Sequence, residues 1–171
     1  MAFQENIIFI VGNSRSGTTM MLRIFNNHPK LMVLNELHFF EQLWAPEDIN
    51  KNISKEQAIT LVSKLLLTQR IGYMTHDQDF SKFHQEATEF VNELPIENIT
   101  AEFVFNHFTK REVALNGKSI VCEKTPQNVF YLKEIFELYP NAKIINMVRD
   151  PRAILLSQKN KWNRRNLGAD Y

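Results

Sequence analysis

The sequence predicts an α/β fold in which a parallel β-sheet is flanked by helices, with a helical insertion between the second and third strands. Short apolar runs bounded by turn residues indicate buried strands. A turn rich in glycine, serine and threonine follows the first run, and two later runs lead directly into helix-start signals. A strand, a turn and a helix that recur in this order three times are typical of a doubly wound sheet.

Four apolar runs predict the strands. In chain order they are residues 7–11, 31–34, 120–122 and 144–148. The runs are nearly continuous and do not alternate with polar residues, which is the pattern of strands that are buried on both faces. We therefore expect parallel strands with helices on each side of the sheet.

Helix signals follow the first, third and fourth runs. Apolar residues recur at helical spacing over residues 20–25, and Pro29 marks the end of that helix. In Thr125-Pro126 and in Asp150-Pro151, a capping residue stands before a proline. Proline is favoured at the first position of a helix, so both pairs predict helix starts.

Between residues 44 and 118 the pattern is helical. Ser54 and Gln57 form a capping box, which predicts the start of a helix. Three apolar faces follow, and they comprise Ala58, Val62, Leu65 and Leu66, then Phe83, Ala87, Phe90, Val91 and Leu94, then Val104, Phe105 and Phe108. We interpret this stretch as an insertion over the carboxyl ends of the strands, where ligands bind, within a single domain of residues 1–171.

The composition limits the partners that we expect. Lys and Arg total 20 and Asp and Glu total 19, so the net charge is +1. This balance predicts neither nucleic acid nor a membrane surface as a partner. The single cysteine, Cys122, excludes an intrachain disulfide. No apolar run reaches the roughly 20 residues of a membrane span, and residues 1–6 lack the pattern of a signal peptide, so we expect a cytoplasmic protein.

The turn after the first strand has the composition of a phosphate-binding loop. Gly12 and Gly17 enclose four residues between a strand and a helix, where backbone N–H groups and the helix N-terminus attract an anion. The candidate binding residues are Ser14, Arg15, Ser16, Gly17, Thr18 and Thr19. Thr18 stands where a nucleotide P-loop has lysine, and Arg15 is the cation instead. We favour an anion site over a plain turn, and expect a P-loop-like sheet without an ATP or GTP clamp.

A second candidate for phosphate binding follows the last strand. Arg149 lies at the carboxyl edge of the predicted sheet, and Ser157 lies on the helix that begins at Pro151. An arginine and a hydroxyl suit a phosphate, because the planar guanidinium can bind two oxygens at once. The alternative is that Arg149 pairs with a nearby carboxylate and that Ser157 faces solvent.

Two further strand ends carry candidate catalytic residues. Glu36 and His38 follow the second strand, where Glu36 could act as a general base and His38 could orient it or the acceptor. Lys124 follows the third strand and could place a positive charge over a transferring group. Each has an ordinary structural alternative. Glu36 could be a helix N-terminal carboxylate, His38 a partly buried structural histidine and Lys124 a solvated surface lysine.

Taken together, these segments resemble the PAPS-dependent sulfotransferases, where PAPS is 3′-phosphoadenosine 5′-phosphosulfate. The likeness is closest to the tyrosylprotein and heparan-sulfate-type enzymes and their bacterial relatives. Residues 15–19 resemble the 5′-phosphosulfate loop of this family, and Arg149 and Ser157 match its 3′-phosphate pair. Residues 35–40 are similar to the segment with the catalytic base, and residues 123–126 to the segment whose lysine contacts the sulfuryl group.

The resemblance implies roles for these residues. Glu36 would be the general base, Lys124 would stabilise the transferring sulfuryl group, and His38 would act beside Glu36, with the choice of base between Glu36 and His38 left open. PAPS would be the donor, 3′,5′-phosphoadenosine the product, and no metal would be required. The acceptor would be a hydroxyl group or, less favoured, an amine, and its identity is left open.

Family members usually continue past the equivalent of Tyr171, so the resemblance also implies a domain that is incomplete at its C-terminus. Two alternatives stay open at this stage. One is a P-loop nucleotide kinase or NTPase, and the other is a non-catalytic, nucleotide-binding fragment of a sulfotransferase-like domain. The helical insertion could also support a homodimer.

Overall fold

The computed structural model describes residue 3 and residues 6–72, 79–95 and 99–166. Within these residues, four parallel strands form one sheet in the order β2-β3-β1-β4. The strands are β1 (Ile8–Gly12), β2 (Leu31–Val33), β3 (Ile120–Glu123) and β4 (Lys143–Met147). In register, Ile8 lies opposite Cys122 on one side and opposite Lys143 on the other. The predicted parallel α/β sheet is confirmed.

Six α-helices lie within the described residues. They are α1 (Thr18–Asn26), α2 (Lys55–Arg70), α3 (His84–Glu93), α4 (Ala101–Leu115), α5 (Leu132–Leu138) and α6 (Pro151–Asn166). Helices α2, α3 and α4 follow β2 and precede β3, so the predicted helical insertion between the second and third strands is confirmed. In this part of the chain, no helix is long and apolar enough to cross a bilayer.

Two of the predicted helix starts are confirmed in detail. At α2, the Ser54 hydroxyl accepts from the Gln57 N–H while the Gln57 side chain accepts from the Ser54 N–H, which completes the capping box. At α6, the Asp150 carboxylate accepts from the Arg152 N–H at 2.8 Å. Each cap satisfies N–H groups that have no partner inside the helix.

The helix after Thr125 differs from the prediction. It begins as a 3₁₀ segment, Pro126–Tyr131, and becomes α-helical only at Leu132. The Thr125 side chain does not cap this helix, because its hydroxyl donates to the Glu123 carboxylate at 2.5 Å. The Thr125 hydroxyl, which the sequence pattern predicts as the helix cap, is therefore engaged in a tertiary hydrogen bond instead.

The core is unequal on the two faces of the sheet. Phe9 and Val11 point into the larger cluster, which also contains side chains of the insertion and of α5. On the other face, Met21 and Phe25 of α1 cover a smaller cluster that includes Ile10. The outer sides of two helices keep apolar side chains more than half exposed, namely Met20, Ile24, Leu155 and Leu156. The second face of the sheet is therefore covered by fewer packed side chains than the apolar strand sequences predict.

Candidate active site

The loop after β1 leaves the sheet where β1 and β4 approach closely. Gly12 has a φ of 133°, and a Cβ there would overlap the carbonyl oxygen of Met147 at the end of β4. Glycine is required at this point because both the backbone conformation and the space exclude a side chain. The phosphate-loop candidate therefore starts beside the carboxyl end of β4, which leads to Arg149.

The loop closes on itself and leads into α1. The Ser16 N–H donates to the Asn13 carbonyl at 3.1 Å, and the Ser16 hydroxyl donates to the same oxygen at 2.5 Å. Gly17, with a φ of 108°, begins α1 without a side-chain cap, and the first turn of α1 contains no acidic residue. The start of α1, where the Thr18 side chain is buried and that of Thr19 is exposed, therefore suits an anion electrostatically.

Arg15, Arg149 and Ser157 meet in what we call the arginine cluster. The Arg15 Nε donates to the Ser157 hydroxyl at 3.0 Å, and the Arg149 Nη1 donates to the backbone carbonyl of Arg15 at 3.0 Å. Arg15 has a φ of 71°, an uncommon conformation for a residue with a side chain. The sequence predicted two separate phosphate sites, and the structure places their arginines side by side.

Glu36 and Lys124 form an ion pair at the ends of β2 and β3. The Lys124 Nζ lies 2.5 Å from the Glu36 Oε1, and the Lys124 side chain is buried. Burial alone would raise the pKa of Glu36, but hydrogen bonds from His38 and Lys124, together with their charges, lower this pKa to about 2. Glu36 is therefore ionised at neutral pH, and because the Lys124 side chain is buried, the surface-lysine alternative for Lys124 is wrong.

His38 lies between two carboxylates. Its Nε2 is 3.6 Å from the Glu36 Oε2, and its Nδ1 is 2.6 Å from the Glu41 Oε2. Burial would lower the pKa of His38, but the contact with Glu36, the hydrogen bond to Glu41 and the negative charges of both carboxylates raise it above its ordinary value. We call Glu36, His38, Glu41 and Lys124 the carboxylate cluster.

Glu41 was not singled out from the sequence. It lies on the single π-helical turn Phe39–Leu43, whose N-cap is His38 with a left-handed φ of 51°. The spacing of three residues between His38 and Glu41 is the signal that could have found it, because residues three apart share one side of a helical turn. The wide turn itself has no comparable pattern in the sequence.

The insertion reaches this edge of the sheet through the end of α2. The Asn35 N–H donates to the Gln69 Oε1 at 3.0 Å, and the Asn35 side chain donates to the Gln69 backbone carbonyl at 2.8 Å. Asn35 immediately precedes Glu36, so α2 holds the backbone that carries this carboxylate. This contact agrees with an insertion that borders the ligand-binding edge.

The described residues contain no group of three or more His, Cys, Asp or Glu side chains arranged to hold a metal ion. The arginine cluster stands beside β1 and β4, and the carboxylate cluster stands beyond β2 and β3. Because all strands are parallel, both clusters lie at the carboxyl edge of one sheet. This edge offers positive charge and loop N–H groups on one side and the Glu36–Lys124 ion pair on the other.

Comparison with known proteins shows the family of this chain. The model of the Sulfotransferase family matches residues 7–170 of this chain. The chain belongs to the sulfotransferase family. The match includes both clusters and the whole described sheet, and it makes a nucleotide kinase or NTPase the less favoured interpretation. The expected class of reaction, group transfer by a sulfotransferase, is therefore supported at family level.

Two relatives that are similar in sequence to this chain are much longer proteins. A Caenorhabditis briggsae protein named "Putative protein-tyrosine sulfotransferase" is 27% identical over 155 residues, which cover 90% of this chain and 42% of the relative. The "Nodulation protein NoeE" of Sinorhizobium fredii (strain NBRC 101917 / NGR234) is 25% identical over 159 residues, which cover 91% of this chain and 32% of the relative. This chain thus spans less than half the length of both relatives.

Proposed function

We propose that this chain is a PAPS-dependent sulfotransferase domain, in which the carboxyl edge of the sheet binds the donor and transfers its sulfuryl group to an acceptor hydroxyl. Membership of the sulfotransferase family supports the reaction class. The observation that carries the proposal is the Glu36–Lys124 ion pair, 2.5 Å long, at the same sheet edge as the arginine cluster. A carboxylate and an ammonium are the base and the charge stabiliser that this reaction needs.

The arginine cluster and the loop before α1 hold the donor in this proposal. The N–H groups at the start of α1, with Ser14, Ser16, Gly17 and the hydroxyls of Thr18 and Thr19, bind the 5′-phosphosulfate. Arg149 and Ser157 bind the 3′-phosphate, for which a guanidinium and a hydroxyl are suited. Arg15 contributes charge between the two phosphates, since its side chain reaches Ser157 while its backbone belongs to the loop.

The transfer itself exchanges one sulfur–oxygen bond for another. The acceptor oxygen forms a bond to the sulfuryl sulfur, and the bond from that sulfur to the bridging oxygen of the 5′-phosphate breaks. The leaving 3′,5′-phosphoadenosine keeps the electron pair, and Lys124 stabilises the charge that develops there. Glu36 accepts the proton of the acceptor hydroxyl.

The resting ion pair must change before Glu36 can act as a base, because a carboxylate with a pKa of about 2 holds a proton poorly. An anionic donor competes with Glu36 for Lys124. When Lys124 turns to the donor, Glu36 loses one of the groups that lower its pKa, and its basicity rises. The ion pair would therefore keep Glu36 inactive until the donor is bound.

His38 completes the carboxylate cluster in this proposal. With its Nδ1 held by Glu41 at 2.6 Å, the ring presents Nε2 to Glu36. This contact orients the Glu36 carboxylate after Lys124 has moved. Glu36 is the proposed base and His38 its partner, because the raised pKa of His38 favours the protonated ring, which has no free lone pair to accept a proton.

Radiolabelled PAPS tests the proposed reaction directly. The purified chain is incubated with PAPS that carries label on the sulfuryl sulfur, and with a panel of hydroxyl and amine acceptors. A tyrosine-containing peptide comes first because of the name of the C. briggsae relative. We expect an acceptor to become labelled, and we expect the rate of labelling to equal the rate at which 3′,5′-phosphoadenosine is released. Binding of 3′,5′-phosphoadenosine without label transfer to the panel would favour the second candidate.

That second candidate is a domain that binds the nucleotide without turnover, for which the arginine cluster and the loop before α1 would suffice. The remaining sequence-based expectations, which are a cytoplasmic location, a single domain over residues 1–171, the absence of a required metal and a homodimer, stay predictions. Gel filtration with light scattering measures the oligomeric state, and transfer in the presence of a chelator measures the metal requirement.

A further inference from the structure

The buried carboxylate of Glu123 lies directly beneath the carboxylate cluster. Glu123 is the last residue of β3 and immediately precedes Lys124, and it is 1% exposed. Its Oε1 accepts from the Thr125 hydroxyl at 2.5 Å and from the Leu37 N–H at 3.3 Å. Its Oε2 accepts from the Asn128 side chain at 2.6 Å and from the Thr125 N–H at 3.1 Å.

These donors belong to two chain segments that are far apart in sequence. Leu37 stands between Glu36 and His38, whereas Thr125 follows Lys124. A second bond joins the same segments, since the His38 N–H donates to the Thr125 hydroxyl oxygen at 3.3 Å. Two successive N–H groups of the segment with the proposed base are therefore anchored to Glu123 and Thr125.

We propose that Glu123 is a positioning residue, whose carboxylate clamps the backbone of residues 37–38 to the turn that carries Lys124 and so sets the geometry of Glu36, His38 and Lys124. The clamp follows from the structure, and its consequence for turnover rests on the function proposed above. Backbone pairing between β2 and β3 ends with the bond from the Leu34 N–H to the Cys122 carbonyl, and the clamp continues the connection between the two segments up to Glu36 and Lys124.

The chemistry of the donors explains why a carboxylate occupies this position. The four groups that bond to it are N–H or O–H donors, and an ionised carboxylate offers two oxygens and no hydrogen. Burial raises the pKa of Glu123 to about 7, while its hydrogen bonds and the charge of His38 oppose that rise. Glutamine has nearly the same shape but would turn an NH₂ group toward a donor and leave that donor unsatisfied.

Two variants and one matched control separate the clamp from general stability. Glu123→Gln removes acceptor capacity, and Thr125→Val removes the hydroxyl while it keeps the carboxyl group of Glu123. Glu102→Gln is the control, because Glu102 is also buried and its carboxylate accepts from the Trp44 and Asn50 N–H groups instead. Turnover and nucleotide binding of all three are compared with the wild type at pH 8, where Glu123 of the wild type is mostly ionised, and the pKa of His38 is taken from a pH titration.

The first readout is the pKa of the His38 imidazole, measured by NMR. The His38 signal is identified because it is missing from the spectrum of His38→Gln. In the wild type this pKa lies above 6.5 because Glu36 and Glu41 face the ring. It should fall toward 6.5 in both clamp variants, since Glu36 moves away, and in Glu123→Gln the loss of the Glu123 charge adds to the fall. It should not change in Glu102→Gln. An unchanged His38 pKa in folded Thr125→Val overturns the proposal, and so does an equal fall in the control.

The second readout is transfer from PAPS with an acceptor that the wild type uses. A displacement of about 1 Å at a reacting group can cost about 100-fold in rate, so kcat should fall by about that factor in both clamp variants. The Kd for 3′,5′-phosphoadenosine should stay within about twofold. Unchanged kcat in both variants contradicts a positioning role. If the wild type transfers no label but the His38 shifts occur, the clamp stands and the proposed function fails.

Discussion

The arginine cluster is exposed to solvent and its members bond to one another. The carboxylate cluster instead joins two buried side chains to two carboxylates that are about one-third exposed, and its backbone is bonded to the protein beneath it. Arg15 and Arg149 are exposed, while His38 is 2% and Lys124 6% exposed. Exposed charged contacts are weak and rearrange at little cost, but buried polar networks are rigid when their members are satisfied. One side of the site can therefore adapt to a ligand, and the other can fix reacting groups.

This difference matches the two tasks of the proposed reaction, which are donor binding and group transfer. Binding a nucleotide needs accessible positive charge that exchanges its internal bonds for bonds to phosphate. Proton transfer and charge stabilisation need groups that are held in place before the substrate arrives. Changes in the arginine cluster should therefore alter binding, and changes in the carboxylate cluster should alter turnover. The predictions below test that separation.

The largest effect is expected for Glu36→Gln. Loss of the general base should lower kcat by about 10² to 10⁴. Donor affinity should be retained or become slightly tighter, because Lys124 is no longer paired with a carboxylate. Kinetics with PAPS and calorimetry with 3′,5′-phosphoadenosine measure the two quantities. Glu137→Gln, an exposed change on α5, is the control, and an equal loss of binding and turnover in Glu36→Gln would remove Glu36 from the role of base.

A smaller effect on binding is expected for Arg149→Ala. A hydrogen bond to a charged group contributes about 1.5–3 kcal/mol, so the Kd for 3′,5′-phosphoadenosine should rise about 10- to 100-fold while that for 5′-AMP stays nearly constant. Arg152→Ala, which removes an exposed arginine paired with Asp150, should leave both affinities unchanged. Equal weakening of the two nucleotides by Arg149→Ala would show that Arg149 does not recognise the 3′-phosphate.

Ser157→Ala should weaken the same ligand less. A neutral hydrogen bond contributes about 0.5–1.5 kcal/mol, so a two- to tenfold rise in the Kd for 3′,5′-phosphoadenosine is expected. Ser81→Ala, at an exposed position before α3, serves as the control. Wild-type affinity in Ser157→Ala would exclude this hydroxyl from the pocket.

The smallest effect concerns stability as a function of pH. Folding lowers the pKa of Glu36 from 4.5 to about 2, so the ionised form is favoured in the folded state. Its stabilising contribution is complete above pH 4.5 and disappears as the pH falls through about 2. The difference in unfolding free energy between wild type and Glu36→Gln, on the order of 1 kcal/mol after screening by water, should shrink over that range in denaturant titrations. A difference that stays constant down to pH 2.5 would contradict the ion pair.

Much of the fold could be predicted because its signals are local. Apolar runs mark the strands, and the Ser54 and Asp150 caps depend on residues within three positions. The start of the helix after Thr125 could not be predicted in the same way. The Thr125 hydroxyl bonds to a carboxylate that is buried only because β3 lies inside the sheet, so tertiary structure overrides the local capping preference.

The site was predictable in its residue types and less so in its contacts. Glycine spacing and strand ends indicated the loop, Arg149, Glu36 and Lys124 as candidates, and the structure places them at one sheet edge. The bond between Arg15 and Ser157 spans 142 positions, and no periodicity reports such a contact. The sequence did not single out Glu123, because its proposed role depends on N–H groups that the fold brings close to its carboxylate. Every residue except proline has a backbone N–H, so the sequence does not indicate which of them bond to Glu123.

Calorimetric titration of the wild-type chain with 3′,5′-phosphoadenosine and with 5′-AMP addresses most directly the claim that this sheet edge binds a donor with two phosphate groups. The claim predicts that the 3′-phosphate tightens binding at least about tenfold, which corresponds to about 1.4 kcal/mol. Equal affinities for the two nucleotides would contradict it.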